Sequence, residues 1–163
     1  CLDVAEQMLI LGEAANDSDQ ARQNAKGAIK DGTAWEKFKD LVTAQGGDLN
    51  YVMDPDLFPK APIIEVVKSP QSGYLSQIHA RVVGETAVDL GAGRVKKGDQ
   101  IDHSVGIEIL REVGDFIDKD DDLFILHAAD QEDFNTAKAR LLRAHQWSKD
   151  PVERLPLVYD IVR

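Results

Sequence analysis

The sequence predicts an α+β fold in which short helices come first and a strand-rich unit follows. Apolar residues recur with a helical period from Leu2 to Gly47. Residues 48–62 contain three prolines and no sustained period, which is typical of a linker. Strand-like apolar runs begin at Ile63 and recur to the end of the chain. We therefore expect a helical region at residues 1–48, a linker at 49–60 and a second domain at 61–163.

Length, charge and cysteine content exclude several classes of protein. The 163 residues are enough for one domain or two small ones, and 43% are hydrophobic. The net charge of −10 opposes binding to a phosphate backbone, so nucleic acid is an unexpected partner. No apolar run is long enough to cross a bilayer, and no secretory leader is recognisable. The single cysteine, Cys1, fits a reducing, cytoplasmic setting.

Two helices are predicted before residue 32. The first runs from Leu2 to about Ala15, and its periodicity starts so early that we expect the chain to begin within a larger protein. The second is expected at residues 17–31, because Asp17 and Gln20 form a plausible capping pair and Asp31-Gly32 a stop signal.

A third helix is predicted from Thr33 to Gly46-Gly47. Thr33 and Glu36 have the spacing of a capping box, in which each side chain bonds the backbone of the other residue. The apolar residues that follow share one face of the helix; they are Trp35, Phe38, Leu41 and Val42.

The second domain is expected to contain five strands and two helices. The strands are predicted at 63–67, 74–78, 105–110, 123–127 and 157–162, the last of them closing the sheet behind Pro156. One helix is predicted at 81–90, ended by Gly91, and another is expected to begin after the N-cap Asp130. Phe134, Ala137 and Leu141 would face the core, and Trp147 would end this last helix.

A short internal repeat is present at 98–102 and 114–118, where both segments read Gly-Asp-x-Ile-Asp. Glycine supplies a positive φ and aspartate bonds its own backbone, so each copy predicts a tight turn. We expect the two turns to be similar hairpin corners of one curved sheet.

The residues that most often carry chemistry form no recognisable active or metal site. Asp118, Asp120, Asp121 and Asp122 could supply oxygen ligands for calcium, but an EF-hand loop would need glycine at Leu123 and glutamate at Ala129. A solvated acidic turn is the favoured interpretation. The scattered histidines have no zinc-binding spacing and are expected at the surface or packed on strands; they are His79, His103, His127 and His145.

A glycine-rich basic loop, Gly91-Ala92-Gly93-Arg94 with Lys96 and Lys97, is the one candidate binding element. Its backbone amides and positive charge could approach a phosphate, but it lacks the third glycine of a dinucleotide fingerprint and the Lys-Ser or Lys-Thr of a P-loop. From these residues alone, a helix stop followed by an exposed turn is favoured.

Two families share local patterns with this chain. The strand, Gly-Asp turn and strand at 113–126 resembles biotinyl and lipoyl carrier domains, but the lysine between methionines or in an Asp-Lys-Ala setting is missing. A broader resemblance is to pyrimidine-nucleoside and thymidine phosphorylases. Four segments carry it in the family's order, namely CLDVAEQMLILG at 1–12, AQGGD at 44–48, GYLSQI at 73–78, and LGAGR, KKGDQID and SVG within 88–106.

The phosphorylase resemblance implies the end of a large α/β domain at 1–48 and a C-terminal α/β-hammerhead domain, barrel-sandwich-like, at 61–163. It also implies conversion of a pyrimidine nucleoside and phosphate to free base and pentose 1-phosphate, without a cofactor or metal. The family's phosphate-binding and pyrimidine-binding residues correspond to no residue of this chain, so the segment alone is expected to be inactive. The parent enzyme is expected to form a homodimer through a region outside this chain.

Within this family the larger domain and a helical domain close over the substrates. The resemblance therefore makes Gly91, Ala92, Gly93, Arg94 and Lys97 a candidate domain-closure loop. The alternative function is a non-catalytic binding or scaffold module that uses the same hammerhead fold.

Overall fold

The computed structural model describes residues 1–160 and 162. The chain divides into two compact units, Cys1–Leu57 and Phe58–Arg163. The first unit is helical, whereas the second contains two small antiparallel sheets together with helices. The predicted α+β class is confirmed, and the described strands do not form a closed barrel.

The first unit contains a series of helices joined by short turns. They are α1 (Leu2–Leu11), α2 (Ser18–Lys30), α3 (Thr33–Ala44), α4 (Leu49–Met53) and a 3₁₀ turn at Pro55–Leu57. Residues 48–57, which show no sustained period, thus form short helical segments. Asp48 is the N-cap of α4 and stabilises its start, because its carboxylate accepts a hydrogen bond from the Asn50 backbone N–H at 2.9 Å.

The caps of α2 and α3 test the two predicted helix starts. Asp17 caps α2, and its carboxylate accepts from the Gln20 backbone N–H at 2.8 Å, as predicted. The capping box at Thr33 is wrong: Gly32 is the N-cap and Thr33 is already helical. The Asp31 carboxylate accepts from both the backbone N–H and the hydroxyl of Thr33, at 2.9 and 2.7 Å. A charged acceptor two residues upstream therefore takes the place of the predicted box.

The second unit contains two three-stranded sheets. The first sheet has the order β1 (Ile63–Lys68), β5 (Asp122–Ala128), β3 (Gly106–Ile109), and the second has the order β4 (Phe116–Ile117), β2 (Gly73–Ile78), β6 (His145–Ser148). All neighbouring strands are antiparallel, with Glu65 opposite Leu126 and Leu75 opposite Trp147. The turn at 69–73 connects strands of different sheets, so β1 and β2 do not form a hairpin.

Two helices complete the second unit. Helix α5 (Ala80–Ala87) continues into a π-helical turn at Val88–Ala92, and α6 (Gln131–Ala144) follows β5. Asp130 caps α6, with its carboxylate accepting from two backbone N–H groups at 2.9 Å, as predicted. The guanidinium of Arg140 joins α6 to α5 and the π turn, because it pairs with Glu85 at 2.9 Å and also with Asp89.

The core of the second unit lies between the inner residues of its strands and α6. The buried apolar residues of this cluster are Ala61, Val67, Leu75, Leu90, Val105, Ile117, Leu123, Phe124, Leu126, Ala128, Phe134, Ala137 and Leu141. The predicted core face of α6 is therefore confirmed. Trp147 does not end that helix: it lies on β6 and packs against the cluster, because the chain passes directly from α6 into a strand.

The two Gly-Asp repeats form the same turn. Gly98 and Gly114 have φ of +102° and +96°. The carboxylate of the following aspartate accepts from the backbone N–H three residues earlier, at 2.7 Å for Asp99 and 2.9 Å for Asp115. The turns are not corners of one sheet: the first lies in the connection to β3 and the second leads into β4 of the other sheet.

The predicted closing strand at 157–162 is absent from its described part. Residues 157–160 form no strand, and Leu157 is 98% exposed; Ile161 lies outside the described residues. A strand requires a hydrogen-bonded neighbour, and residues 157–160 pair with none of the described strands. The apolar pattern of this segment therefore does not produce a strand by itself.

Candidate functional site

The glycine-rich loop begins within the last two residues of the π-helical turn. Gly91 has a φ of +107°, a conformation that side chains with a Cβ rarely adopt. Gly93 is required for space, because a Cβ at this position would lie 2.7 Å from Cγ2 of Val88. Gly91 thus ends the helical conformation, Gly93 allows close approach to Val88, and Ala92 between them packs against the core.

The basic part of the loop faces solvent. Arg94, Lys96 and Lys97 are exposed. Within the described part of the chain, the one hydrogen bond of the Arg94 side chain runs from Nε to the Asp99 carbonyl oxygen at 3.3 Å. Its planar terminal nitrogens are therefore available for a carboxylate, a phosphate or a carbonyl group.

Two aspartates of the first repeat hold the loop in shape. Asp99 accepts from the Lys96 backbone N–H, and the backbone N–H of Asp102 donates to the Gly91 carbonyl oxygen at 3.0 Å. The side-chain and backbone donors of Ser104 lower the pKa of the Asp102 carboxyl below its usual value, so it remains charged. These two positions were not predicted as part of the candidate site, although the repeated Gly-Asp-x-Ile-Asp pattern marks them.

The aspartates of the acidic run at 118–122 stabilise the local structure through hydrogen bonds and an ion pair. Asp121 accepts from the backbone N–H of Asp118 at 3.2 Å, and Asp118 accepts from the Ser72 hydroxyl at 3.3 Å. Asp122 pairs with Lys68. These carboxylates face different partners, and no cluster of metal-ligating side chains occurs among residues 1–160 and 162. The acidic-turn interpretation is therefore the one that these contacts favour.

The four histidines and Cys1 differ in exposure and in hydrogen-bond partners. His79 and His103 are exposed, and Cys1 is an exposed free thiol. On the first sheet, Nε2 of His127 lies 2.6 Å from a carboxylate oxygen of Glu108. His145 is buried at the start of β6, with Nδ1 2.7 Å from the Leu141 carbonyl oxygen. Both strand histidines thus have structural partners, as predicted.

No helix in the described part of the chain is both long and apolar enough to cross a membrane.

The sequence that contains the glycine-rich loop matches a known domain. Residues 74–148, which run from β2 to the end of β6, match the family model for the pyrimidine nucleoside phosphorylase C-terminal domain. This segment contains the candidate loop, both Gly-Asp turns and α6. The second unit is therefore a C-terminal domain of the nucleoside phosphorylase class.

Similarity to whole phosphorylases extends over nearly all of the chain. A pyrimidine-nucleoside phosphorylase from Geobacillus stearothermophilus is 36% identical over 160 residues, which are 98% of this chain and 37% of that protein. One from Bacillus subtilis is 40% identical over 127 residues, 78% of this chain and 29% of that protein. A thymidine phosphorylase from Colwellia psychrerythraea is 33% identical over 157 residues, 96% of this chain and 36% of that protein.

The chain thus belongs to the pyrimidine-nucleoside phosphorylase family and corresponds to a C-terminal part of its members. It spans between 29% and 37% of the length of these three relatives.

Proposed function

We propose that this chain is the C-terminal part of an enzyme that converts a pyrimidine nucleoside and phosphate to free base and pentose 1-phosphate. The observation that carries the proposal is the 36% identity to a pyrimidine-nucleoside phosphorylase across 98% of the chain. Phosphate and the nucleoside are then ligands of the whole enzyme, in a cytoplasmic, homodimeric protein whose dimer interface lies outside this chain. The 163 residues alone are inactive in this proposal, because they lack the family's substrate-binding residues.

The glycine-rich loop has a defined role in this proposal. Residues 91–97 lie near the mouth of the substrate cleft in the whole enzyme and stabilise its closed form. Arg94 is suited to this because its terminal nitrogens can grip a planar acceptor at two points, whereas its own Nε is already oriented by the Asp99 carbonyl oxygen. Closure excludes water and aligns the two substrates, so this contact would act on turnover.

A chimera tests the activity. This chain would replace the matching 160-residue segment of the Geobacillus stearothermophilus protein, and release of base from uridine or thymidine would be measured with and without phosphate. We expect phosphate-dependent release by the chimera and none by the 163-residue chain or by the relative lacking the segment. A chimera that melts cooperatively without any turnover favours the binding or scaffold module, and turnover by the chain alone places the active site within it.

The same chimera tests the loop. Arg94→Lys retains the positive charge and removes the planar fork, so we expect kcat to fall about tenfold, equivalent to about 1.4 kcal/mol, with little change in Tm. Arg143→Lys is the matched control, because it makes the same exchange at an exposed residue of α6 outside the loop, and it should leave both values near those of the unmodified chimera. A fall in Tm with unchanged kcat for Arg94→Lys would show that this arginine is purely structural.

A further inference from the structure

Helix α3 is the least buried long helix of the first unit. None of its twelve residues is buried, and three of its large apolar side chains are about half exposed, namely Trp35 (45%), Phe38 (45%) and Leu41 (55%). The rings of Trp35 and Phe38 contact each other with their centroids 5.6 Å apart. An amphipathic helix gains most of its stability by burying such a face.

The exposed face forms an open, mostly apolar groove of about 460 Å³. The residues that line it are Ala34, Lys37, Phe38, Asp40, Leu41 and Ala44. Alanines lie at both ends of this stripe and the large apolar residues lie at its middle. Small residues at the ends of a contact allow two helices to approach within packing distance, about 8 to 10 Å between axes.

The charges on this face are self-complementary. Lys37 and Asp40 carry opposite charges, flank the middle of the stripe and are 82% and 70% exposed at their side chains. Their mutual ion pair of 3.2 Å lies within one helix, and both residues line the groove. If two α3 helices pack antiparallel about a two-fold axis between these residues, each Lys37 lies beside Asp40 of the second copy. The apolar residues of both copies then meet beside two ion pairs.

We propose that the α3 groove is a self-association surface, occupied by α3 of a second copy of this chain in an antiparallel two-fold pair. The occupant follows from the charge pattern, because a symmetric contact places each sign against its opposite. This surface is distinct from the dimer interface proposed for the whole enzyme, which would lie outside this chain. It does not depend on the phosphorylase activity.

Sedimentation of the 163-residue chain between about 1 and about 100 µM tests the proposal, since contacts of modest area associate in this range. We expect reversible, concentration-dependent dimers. Lys37→Glu and Asp40→Lys should each weaken association about tenfold or more, because each variant places two pairs of like charges across the axis. Lys39→Glu is the matched control: it removes the 2.8 Å ion pair with Glu36 on the same helix, outside the groove, and should leave association unchanged.

A mixture of the two single variants separates the contact from any effect on helix stability. In a mixed pair, the new carboxylate of the Lys37→Glu chain faces the new ammonium of the Asp40→Lys chain, which is an ion pair with the charges exchanged. Asp40 of the first chain faces Lys37 of the second, which is the original ion pair. Both ion pairs are therefore restored. We expect an equimolar mixture of Lys37→Glu and Asp40→Lys to form heterodimers more strongly than either variant alone forms homodimers. A wild-type chain that remains monomeric throughout, or a mixture that associates no more strongly than its separate components, would overturn the proposal.

Discussion

The two units differ in how much of their apolar surface they bury. In the first unit, the buried apolar residues are the small side chains of Ala15 and Ala21, while Val4, Met8 and Leu11 of α1 remain between 64% and 83% exposed. In the second unit, Phe124, Leu126 and Ile117 are fully buried. The comparison shows that the apolar stripe of a helix indicates which face needs a packing partner. In the second unit, strands and a helix are packing partners for one another and bury each other's apolar side chains.

A partly exposed ion-pair network connects α1 and α2 in the first unit. The guanidinium of Arg22 on α2 bonds Glu6 at 2.9 Å and also pairs with Asp3, both of which lie on α1. These contacts lower the pKa of the Asp3 carboxyl below its usual value, and the hydrogen bond from Arg22 is the main cause. Such a pair orients two helices but contributes less to stability than a buried apolar cluster.

The largest expected effect is the loss of a buried ring from the second unit. Phe124→Ala should lower its free energy of unfolding by about 3 to 5 kcal/mol, because a cavity remains in the core. Phe38→Ala, in the first unit, should cost less than about 1 kcal/mol in the monomer. Urea unfolding at low protein concentration measures both losses. Trp147 reports on the second unit in a Trp35→Phe background, and Trp35 reports on the first unit in a Trp147→Phe background. Equal losses for both variants would contradict the difference between the units.

A smaller effect is expected at the two Gly-Asp turns, which have nearly the same φ but different surroundings. A Cβ at Gly114 would lie 2.8 Å from Cγ of Arg154 and 3.0 Å from the Val152 carbonyl oxygen, whereas nothing lies within 4 Å of one at Gly98. Gly98→Ala should therefore cost about 1 kcal/mol of backbone strain, and Gly114→Ala about 2 to 4 kcal/mol. Thermal unfolding of the two variants measures the difference. Equal Tm values would mean that residues 152–154 move aside without loss of stability.

The smallest expected effect concerns pH and the buried His145. Burial lowers the pKa of its imidazole from the model-peptide value of 6.5, a shift that the hydrogen bond with the Leu141 carbonyl oxygen only partly opposes. The neutral ring donates through Nδ1, stacks on Phe124 and leaves Nε2 buried without a partner among the described residues.

Because the unfolded chain binds the proton more readily than the folded one, this group has no effect on stability above its unfolded pKa. Below about pH 6.5 it lowers stability, progressively down to the folded pKa. Urea unfolding between about pH 5 and pH 8 should show this decline, and His145→Phe should flatten it. His103→Phe, which removes an exposed histidine, should retain the wild-type slope. An unchanged slope in His145→Phe would mean that other groups cause the decline.

The predicted strands and helices were accurate where local chemistry and tertiary environment agree. The spans of α2, α6 and β5, and the capping roles of Asp17 and Asp130, follow from periodicity and from side-chain acceptors close in the chain. The segment 157–160 also has strand-like chemistry, but no described neighbour pairs with it. Strand formation depends on a partner that a local pattern cannot specify.

By itself, the sequence determined the α+β class, the family, the turns at both Gly-Asp repeats and the apolar face of each long helix, because these depend on residues near in the chain. Only the tertiary structure decided that β1 and β2 belong to different sheets, that His145 is buried against Phe124, and that Asp99 and Asp102 brace the glycine-rich loop. Those features depend on which distant backbone groups pair and which faces meet. Pairing between distant strands is set by the packing of the whole unit, whose free energy is shared among many residues.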